Sequence, residues 1–570
     1  MNDGSRGRGA ARHGRRVRDT GGGTGPRQVS RTGGSALAQA VRELYGEGQT
    51  DYSLEPIVLV DGLGEPVGRI KDGDVVVFCC RRGEREIQLT EAFVEQERDL
   101  FPRRAFRDLL FVILTLYHEK FVGLPVAFAP TRVGNTLAEI VSEAGLRQMH
   151  VAESEKFAHV TFFFNGGSSR PLAGEEDVRV PSLRGVAFDQ VPELSAAQVA
   201  EQVVRAVREE YDLIVANFAN GDVIGHTQNQ EAKIRCAELV DARLGEVVEA
   251  ARAGDYVVIV TADHGNLEVM THPDGTPHVS HTANLVPFLL LDGRAAGQGT
   301  VRDGKLADVA PTVLEAMGIS PPSVPPAVAG GRERDVPAAA GEGESGESLV
   351  RGHAWGGRRR VLLLILDGWG LGSEDESNPI WLAETVVWDR LVREYPHARL
   401  EASGAAVGLR EGKPGNSEAG HMNLGAGRIV LQDDARLDQA MQDGSFYSNE
   451  VLCRAIEEAL QRERSLHLIG LLTEKSSHGT IDYPLALLRM ARERGLGRVF
   501  LHIIFDGRST QPGSAPEMLE RLGRQVEGIG VGQIVTGVGR GIALDRDGNY
   551  AKTQLAYDAL VDGTGRRAAL

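Results

Sequence analysis

The chain has 570 residues, enough at roughly 150 per domain for several large cores, with 42% hydrophobic residues, 25% charged residues and 70 glycines. This composition excludes collagen-like, coiled-coil and wholly disordered chains, and the longest apolar runs, such as Asp108 to Tyr117, fall short of the ~18 to 20 residues a membrane span needs. Net charge is −16, yet residues 1 to 31 hold eight Arg against Asp3 and Asp19, so a local +6 leaves −22 on the remainder.

In chain order, the first element is this Gly/Arg-rich tail, 1–34, which lacks the apolar surface to offset its ordering entropy and is expected to be disordered. The run VVVFCC is a strand followed by Arg82 and Arg85. AESEKFAHVTFFFNGG carries Lys156, one of only eight lysines against 55 arginines. Lys156 either balances phosphoryl oxygens or pairs with Glu153 or Glu155. A helix over Ser195 to Tyr211, the strand LIVANF, a second helix and the strand YVVIVTA follow, an alternation that predicts α/β architecture with a largely parallel sheet. Residues 319–360 replace periodic sequence with Pro, Gly, Ser and charge and read as a linker. Beyond them come VLLLIL, the Gly-rich segment PGNSEAGHMNLGAGR, VFLHIIF and GRGIALDRD. The four cysteines, Cys79, Cys80, Cys236 and Cys453, show no C-x-x-C spacing and read as small buried residues of a cytoplasmic protein.

The chemistry gathers behind the strands. VLLLIL ends in Asp367, LIVANF leads to Asp222 and His226, VVIVTA ends in Asp263 and His264, and VFLHIIF ends in Asp506 and Arg508. In open parallel sheets the carboxyl ends of strands form the ligand edge, so residues distant in sequence can converge there. Carboxylates with imidazoles, His281 included, suit Mn, Zn, Fe or Mg, and their number is enough for two ions. Ser417 is the candidate nucleophile: the backbone amides of its Gly-rich segment can form an anion nest, and a metal ion can lower the pKa of its hydroxyl. Arg82, Arg85, Arg508, Arg540, Arg546 and His478 are candidate anion ligands, because the guanidinium fork matches phosphate and carboxylate.

Taken together, LDGWG, GNSEAGH with NLGAGR, AESEKFAHVTFFFNGG, ANGD-IGH, TADHGN and H-SHTAN-VPF resemble the cofactor-independent (2,3-bisphosphoglycerate-independent) phosphoglycerate mutases of the alkaline phosphatase superfamily. The resemblance covers about Ser35 to Ile319 and Val361 to Gly565, in an order that looks circularly permuted: the family's usual end precedes its usual beginning. It implies a two-domain α/β fold. An alkaline-phosphatase-like parallel-sheet domain would comprise 131–318 and 361–431, and an α/β phosphotransferase domain 35–130 and 432–570. It further implies a monomeric cytoplasmic enzyme that interconverts 3- and 2-phosphoglycerate in glycolysis and gluconeogenesis, with no nucleic-acid or membrane partner and no bisphosphoglycerate requirement.

By the same resemblance, Ser417 is transiently phosphorylated. One Mn ion is held by Asp222, His226 and His281, and the other by Asp367, Ser417, Asp263 and His264, with Mg, Zn or Co as possible substitutes. Substrate meets His478, Arg508, Ser509, Arg540, Arg546, Arg82, Arg85 and Lys156. Two segments depart from the family pattern. DGRST places Ser509 where an aspartate is usual, and TEKSSHGT, at 473–480, keeps one histidine of SDGGVHSH. The competing readings are a metal-dependent phosphatase or phosphopentomutase-like enzyme on another phosphate ester, and a degenerate metabolite-binding protein without turnover.

Overall fold

The structure, a computed structural model, describes residues 32–81, 85–95, 100–129, 132–183, 185–294, 299–320, 342–474, 476 and 478–570. The tail 1–31, Arg82 and 321–341 of the expected linker lie outside these residues. The chain divides into two compact units, one of residues 1–111 and 454–570, the other of 112–453.

The second unit is built on eight strands in the order Gly304–Lys305, His397–Glu401, Val286–Asp292, Tyr256–Thr261, Arg360–Leu366, Leu213–Phe218, Gln148–Glu153 and Glu175–Val180. The last five are mutually parallel. Four of these five, Glu175–Val180 excepted, are almost wholly buried, which explains why three of them, Tyr256–Thr261, Arg360–Leu366 and Leu213–Phe218, read as nearly continuous apolar runs. Helices Ala196–Arg208 and Gln230–Ala253 supply Val199, Val203, Val240 and Leu244 to the core.

In the first unit, the central strands run in the order Arg566–Ala569, Ile57–Val60, Gln533–Gly539, Val499–Phe505, Leu466–Leu472 and Val75–Phe78. The last four are parallel to one another. The C-terminal strand Arg566–Ala569 pairs in parallel with Ile57–Val60. Helix Gly34–Gly46 buries Leu37, Val41 and Leu44, and the Thr32 carbonyl accepts from the Ile534 amide, so residues 32–34 of the segment expected as tail are packed against the first unit.

The described end of the expected linker is not loose. Glu342–Ser345 pairs with Arg428–Val430, and Val350–Arg351 pairs with Thr300–Val301. Leu349 is buried, and the buried Arg359 donates to Asp292 at 2.7 Å. Polar, Gly-rich sequence gives no periodic signal here because these short strands draw their order from the edges they pair with.

Candidate active site

In the second unit, four neighbouring parallel strands end on one cluster. Tyr256–Thr261 leads to Asp263 and His264, Arg360–Leu366 to Asp367, Leu213–Phe218 through a short helix to Asp222 and His226, and Gln148–Glu153 to Lys156. Close approach is built into the turns. Gly368 has φ +73°, and a Cβ there would stand 2.6 Å from the Asp222 amide nitrogen; a Cβ on Gly420 would stand 2.5 Å from the Asp263 carbonyl oxygen.

Ser417 is the first residue of helix Ser417–Ala426, whose N-cap Asn416 accepts from the Ala419 amide at 2.9 Å. Its Oγ accepts from Lys156 Nζ at 2.6 Å and lies 2.9 Å from His264 Nε2. The same Nζ donates to Asp222 Oδ2 and Asp367 Oδ1, both at 2.7 Å. Lys156 therefore pairs with these aspartates and not with Glu153, which accepts from Ser182 and the Ser195 amide. The buried ammonium does the work of a central cation among three carboxylates. Burial alone would lower the Lys156 pKa, but Asp367 and Asp222 hold it above its ordinary value. Burial would likewise raise Asp222, but the charge of Lys156 holds it well below. Burial, followed by repulsion from Asp263, pushes Asp367 upward.

Around this cluster, Asp222 Oδ1 lies 3.2 Å from His226 Nε2 and 3.0 Å from His281 Nε2, and the two Nε2 atoms are 3.1 Å apart. Nδ1 of His226 faces the Val279 carbonyl and Nδ1 of His281 faces the Gly415 carbonyl, both at 2.9 Å. Protons on the Nδ1 atoms leave both Nε2 lone pairs converging with a carboxylate, an arrangement of acceptors that calls for a cation. Asp263, Asp367 and His264 have fully buried side chains, and His264 Nε2 lies 3.4 Å from Asp263 Oδ2 and 3.6 Å from Asp367 Oδ1. Asp263 Oδ2 has no hydrogen-bond partner among the described residues. Oxygen and imidazole donors, orphaned lone pairs and the absence of thiolate fit divalent metal ions. His226 is about half exposed while the second group is closed, so the two positions differ in access.

Three further residues belong to this site: Asn217, which lies in no quoted motif, and Asn266 and His421, which close TADHGN and GNSEAGH without a role assigned to them. Asn217 Nδ2 donates to Asp367 Oδ2 at 2.7 Å and to His421 Nε2 at 3.0 Å. Asn266 Nδ2 donates to Asp222 Oδ1 at 3.0 Å. His421 groups with Asp263 and Asp367 as a potential metal trio, but its Nδ1 faces the Ser417 carbonyl at 2.9 Å and its Nε2 is taken by Asn217. It holds Asn217 in place. A separate trio, His150, Glu175 and Asp177, sits on neighbouring strands of the same sheet.

The first unit repeats the plan with opposite charge. Val499–Phe505 ends in Asp506, Gln533–Gly539 in Arg540, Leu466–Leu472 in the segment reaching His478, and Val75–Phe78 in the segment reaching Arg81 and Arg85. Arg540 is buried and pairs with Asp506 Oδ1, while Asp506 Oδ2 accepts from the Ser509 amide at 2.8 Å. Arg85 is buried and donates to the Leu544 carbonyl at 3.1 Å. Arg508, Ser509 and Arg546 are exposed. Two residues that sequence reasoning passed over belong to this cluster. Arg81 is buried and donates to Tyr483 Oη and the Ser476 carbonyl, and buried Glu86 lies 3.1 Å from His478 Nδ1.

Fold and site define an α/β protein with a carboxylate–imidazole metal centre. The sequence family described as the Metalloenzyme superfamily matches residues 29–321, about half of the chain, and the chain belongs to that superfamily. A second family, described as the BPG-independent PGAM N-terminus, matches residues 437–570. Among curated proteins, a 2,3-bisphosphoglycerate-independent phosphoglycerate mutase of Moorella thermoacetica is 44% identical over 290 residues, 51% of this chain and 56% of the relative. The protein of the same name from Salinibacter ruber is 46% identical over 284 residues, 49% of this chain and 54% of the relative. The chain spans about half the length of the curated relatives it matches. A solved phosphoglycerate mutase from Leishmania mexicana, crystallised at low cobalt concentration, is 26% identical over 52% of this chain and 53% of that one, at a TM-score of 0.38.

Proposed function

We propose that the chain interconverts 3-phosphoglycerate and 2-phosphoglycerate, as a step of glycolysis and gluconeogenesis, through a phosphoserine at Ser417 and without bisphosphoglycerate. The observation that carries this reading is the Ser417 hydroxyl, buried at a helix N-terminus and shared by Lys156 Nζ and His264 Nε2 among three aspartates. The names of the matched relatives support it.

Asp222, His226 and His281 would hold one divalent ion, and Asp263, His264, Asp367 and Ser417 the other. Mn is the proposed metal, with Mg, Zn or Co as substitutes. When bound, the ions polarise phosphoryl oxygens and stabilise the charge of an in-line displacement. Lys156 donates to Ser417 Oγ and so favours the ionised hydroxyl that attacks phosphorus. The helix N-terminus adds a positive field at the same atom. Asn217 and Asn266 fix the carboxylates that hold the ions. In the first unit, Arg82, Arg85, His478, Arg508, Ser509, Arg540 and Arg546 would take the substrate's phosphate and carboxylate; in the second, Lys156 is the proposed substrate-binding residue.

The arrangement is read as a circular permutation, with a phosphatase-like domain of 131–318 and 361–431 inserted in a phosphotransferase domain of 35–130 and 432–570, and with 319–360 as the joining segment. Its support is that a family described as an N-terminus matches this chain at 437–570, behind the Metalloenzyme match at 29–321. The protein would act as a cytoplasmic monomer. An enolase-coupled assay with Mn tests the activity. Conversion equal with and without bisphosphoglycerate supports it, whereas phosphate release exceeding isomerisation, or binding without turnover, overturns it. Mass mapping of a peptide that spans 318–361 tests the order of the chain.

A further inference from the structure

Among the described residues of the first unit, two buried side-chain atoms lack a hydrogen-bond partner, Glu86 Oε2 and Arg540 Nε. Both belong to the cluster at the strand ends, and Arg540 is near enough for its charge to act on the Glu86 carboxyl. Glu86 is fully buried at the start of helix Ile87–Val94, close to the buried Cys80, and burial raises its carboxyl pKa while His478 pulls it back. Asp506 is committed elsewhere, one oxygen to Arg540 and the other to the Ser509 amide. Stability alone would favour an apolar side chain at 86, because a buried carboxylate with one orphaned oxygen is costly. What Glu86 does hold is His478: Oε1 lies 3.1 Å from Nδ1, while the imidazole stays 16% exposed. A buried carboxylate behind a part-exposed imidazole fixes the ring's tautomer and its orientation.

We propose that Glu86 is the positioning residue of His478: its carboxylate accepts a hydrogen bond from Nδ1–H, locks the ring, and assigns the ligand contact to Nε2, on a substrate of the phosphorylated hydroxy-acid class. The inference deepens the proposed function and rests on it for the substrate, but not for the tautomer.

The test uses the full-length Mn-loaded protein with 15N-labelled histidines, with the His478 signal assigned by its loss in His478→Gln. Neutral His478 protonated at Nδ1 in the native protein, with the tautomer ratio shifted in Glu86→Gln, supports the proposal; an Nε2-protonated ring, or a ratio unchanged by Glu86→Gln, overturns it. In the enolase-coupled assay, Glu86→Gln lowers kcat/KM by about 10- to 100-fold, Glu86→Asp falls between, and the double variant with His478→Gln is no worse than the poorer single variant. Additive losses would overturn the coupling, as would a Glu86→Asp protein that keeps full activity if Glu86→Gln does not fold. A native protein with the expected tautomer and no isomerisation would reject the mutase reading and leave the Glu86 assignment standing.

Discussion

The two units solve one problem with opposite charges. Each brings the carboxyl ends of four adjacent parallel strands to one polar cluster, but the second unit fills it with Asp222, Asp263, Asp367 and imidazoles, the first with Arg81, Arg85 and Arg540. In the acidic cluster the cation is partly internal, since Lys156 bridges two aspartates and the serine. In the basic cluster, among the described residues, Asp506 pairs with Arg540, and Glu86 serves a histidine. On the function proposed above, the acidic cluster would hold cations and the basic one a small anion. The overall charge of −16 conceals both.

The sharpest way to break this comparison is to remove the serine around which the acidic cluster is arranged. Ser417→Ala is expected to lower isomerisation by about 10⁴-fold or more, as loss of a nucleophile does, with retained fold checked by circular dichroism. Next comes the outer support. Asn217→Ala frees the Asp367 carboxylate and should cost about 10- to 100-fold in activity and in Mn affinity, read by metal titration. In the basic cluster, Arg540→Ala removes a charged hydrogen-bonding group worth about 1.5 to 3 kcal/mol, so the KM for phosphoglycerate should rise about 10- to 100-fold while Mn affinity stays put. If Arg540→Ala weakened Mn binding as strongly as substrate binding, the division of labour between the units would fail.

The smallest effect lies away from both clusters. Burial and the neighbouring Glu175 raise the Asp177 carboxyl to about 7. A native carboxyl that holds its proton more tightly than the unfolded chain contributes stability below the unfolded value, near 4, and this contribution is lost as pH rises to about 7. Asp177→Asn should therefore raise the Tm by about 2 °C at pH 8, a gap that closes toward pH 4, in thermal scans across that range.

Strand ends were the legible part of the molecule. Continuous apolar runs marked strands covered on both faces, and an aspartate or histidine directly behind each run marked the ligand edge, so Asp222, Asp263, His264 and Asp367 could be named before any geometry was known. The roles of Asn217 and Asn266 are not legible, although Asn266 closes TADHGN, because an amide's value lies in which carboxylate it meets. Lys156 was visible through its rarity, but not its partners, which lie 66 and 211 positions away. Arg81 and Glu86 were hidden among neighbouring charges in CRRGERE, where a sequence does not say which side chain turns inward. The segment 342–360 misled by composition, since its order comes from pairing and from the Arg359–Asp292 contact.

In the proposed reaction Ser417 carries the phosphoryl group between the two positions of glycerate. Acid-quenching the Mn-loaded protein during turnover of 3-phosphoglycerate, followed by peptide mass mapping, tests this directly. One phosphate is expected, on Ser417, in the peptide containing GNSEAGH, and none in Ser417→Ala. Turnover with that peptide unmodified, or phosphate on another residue, would contradict it.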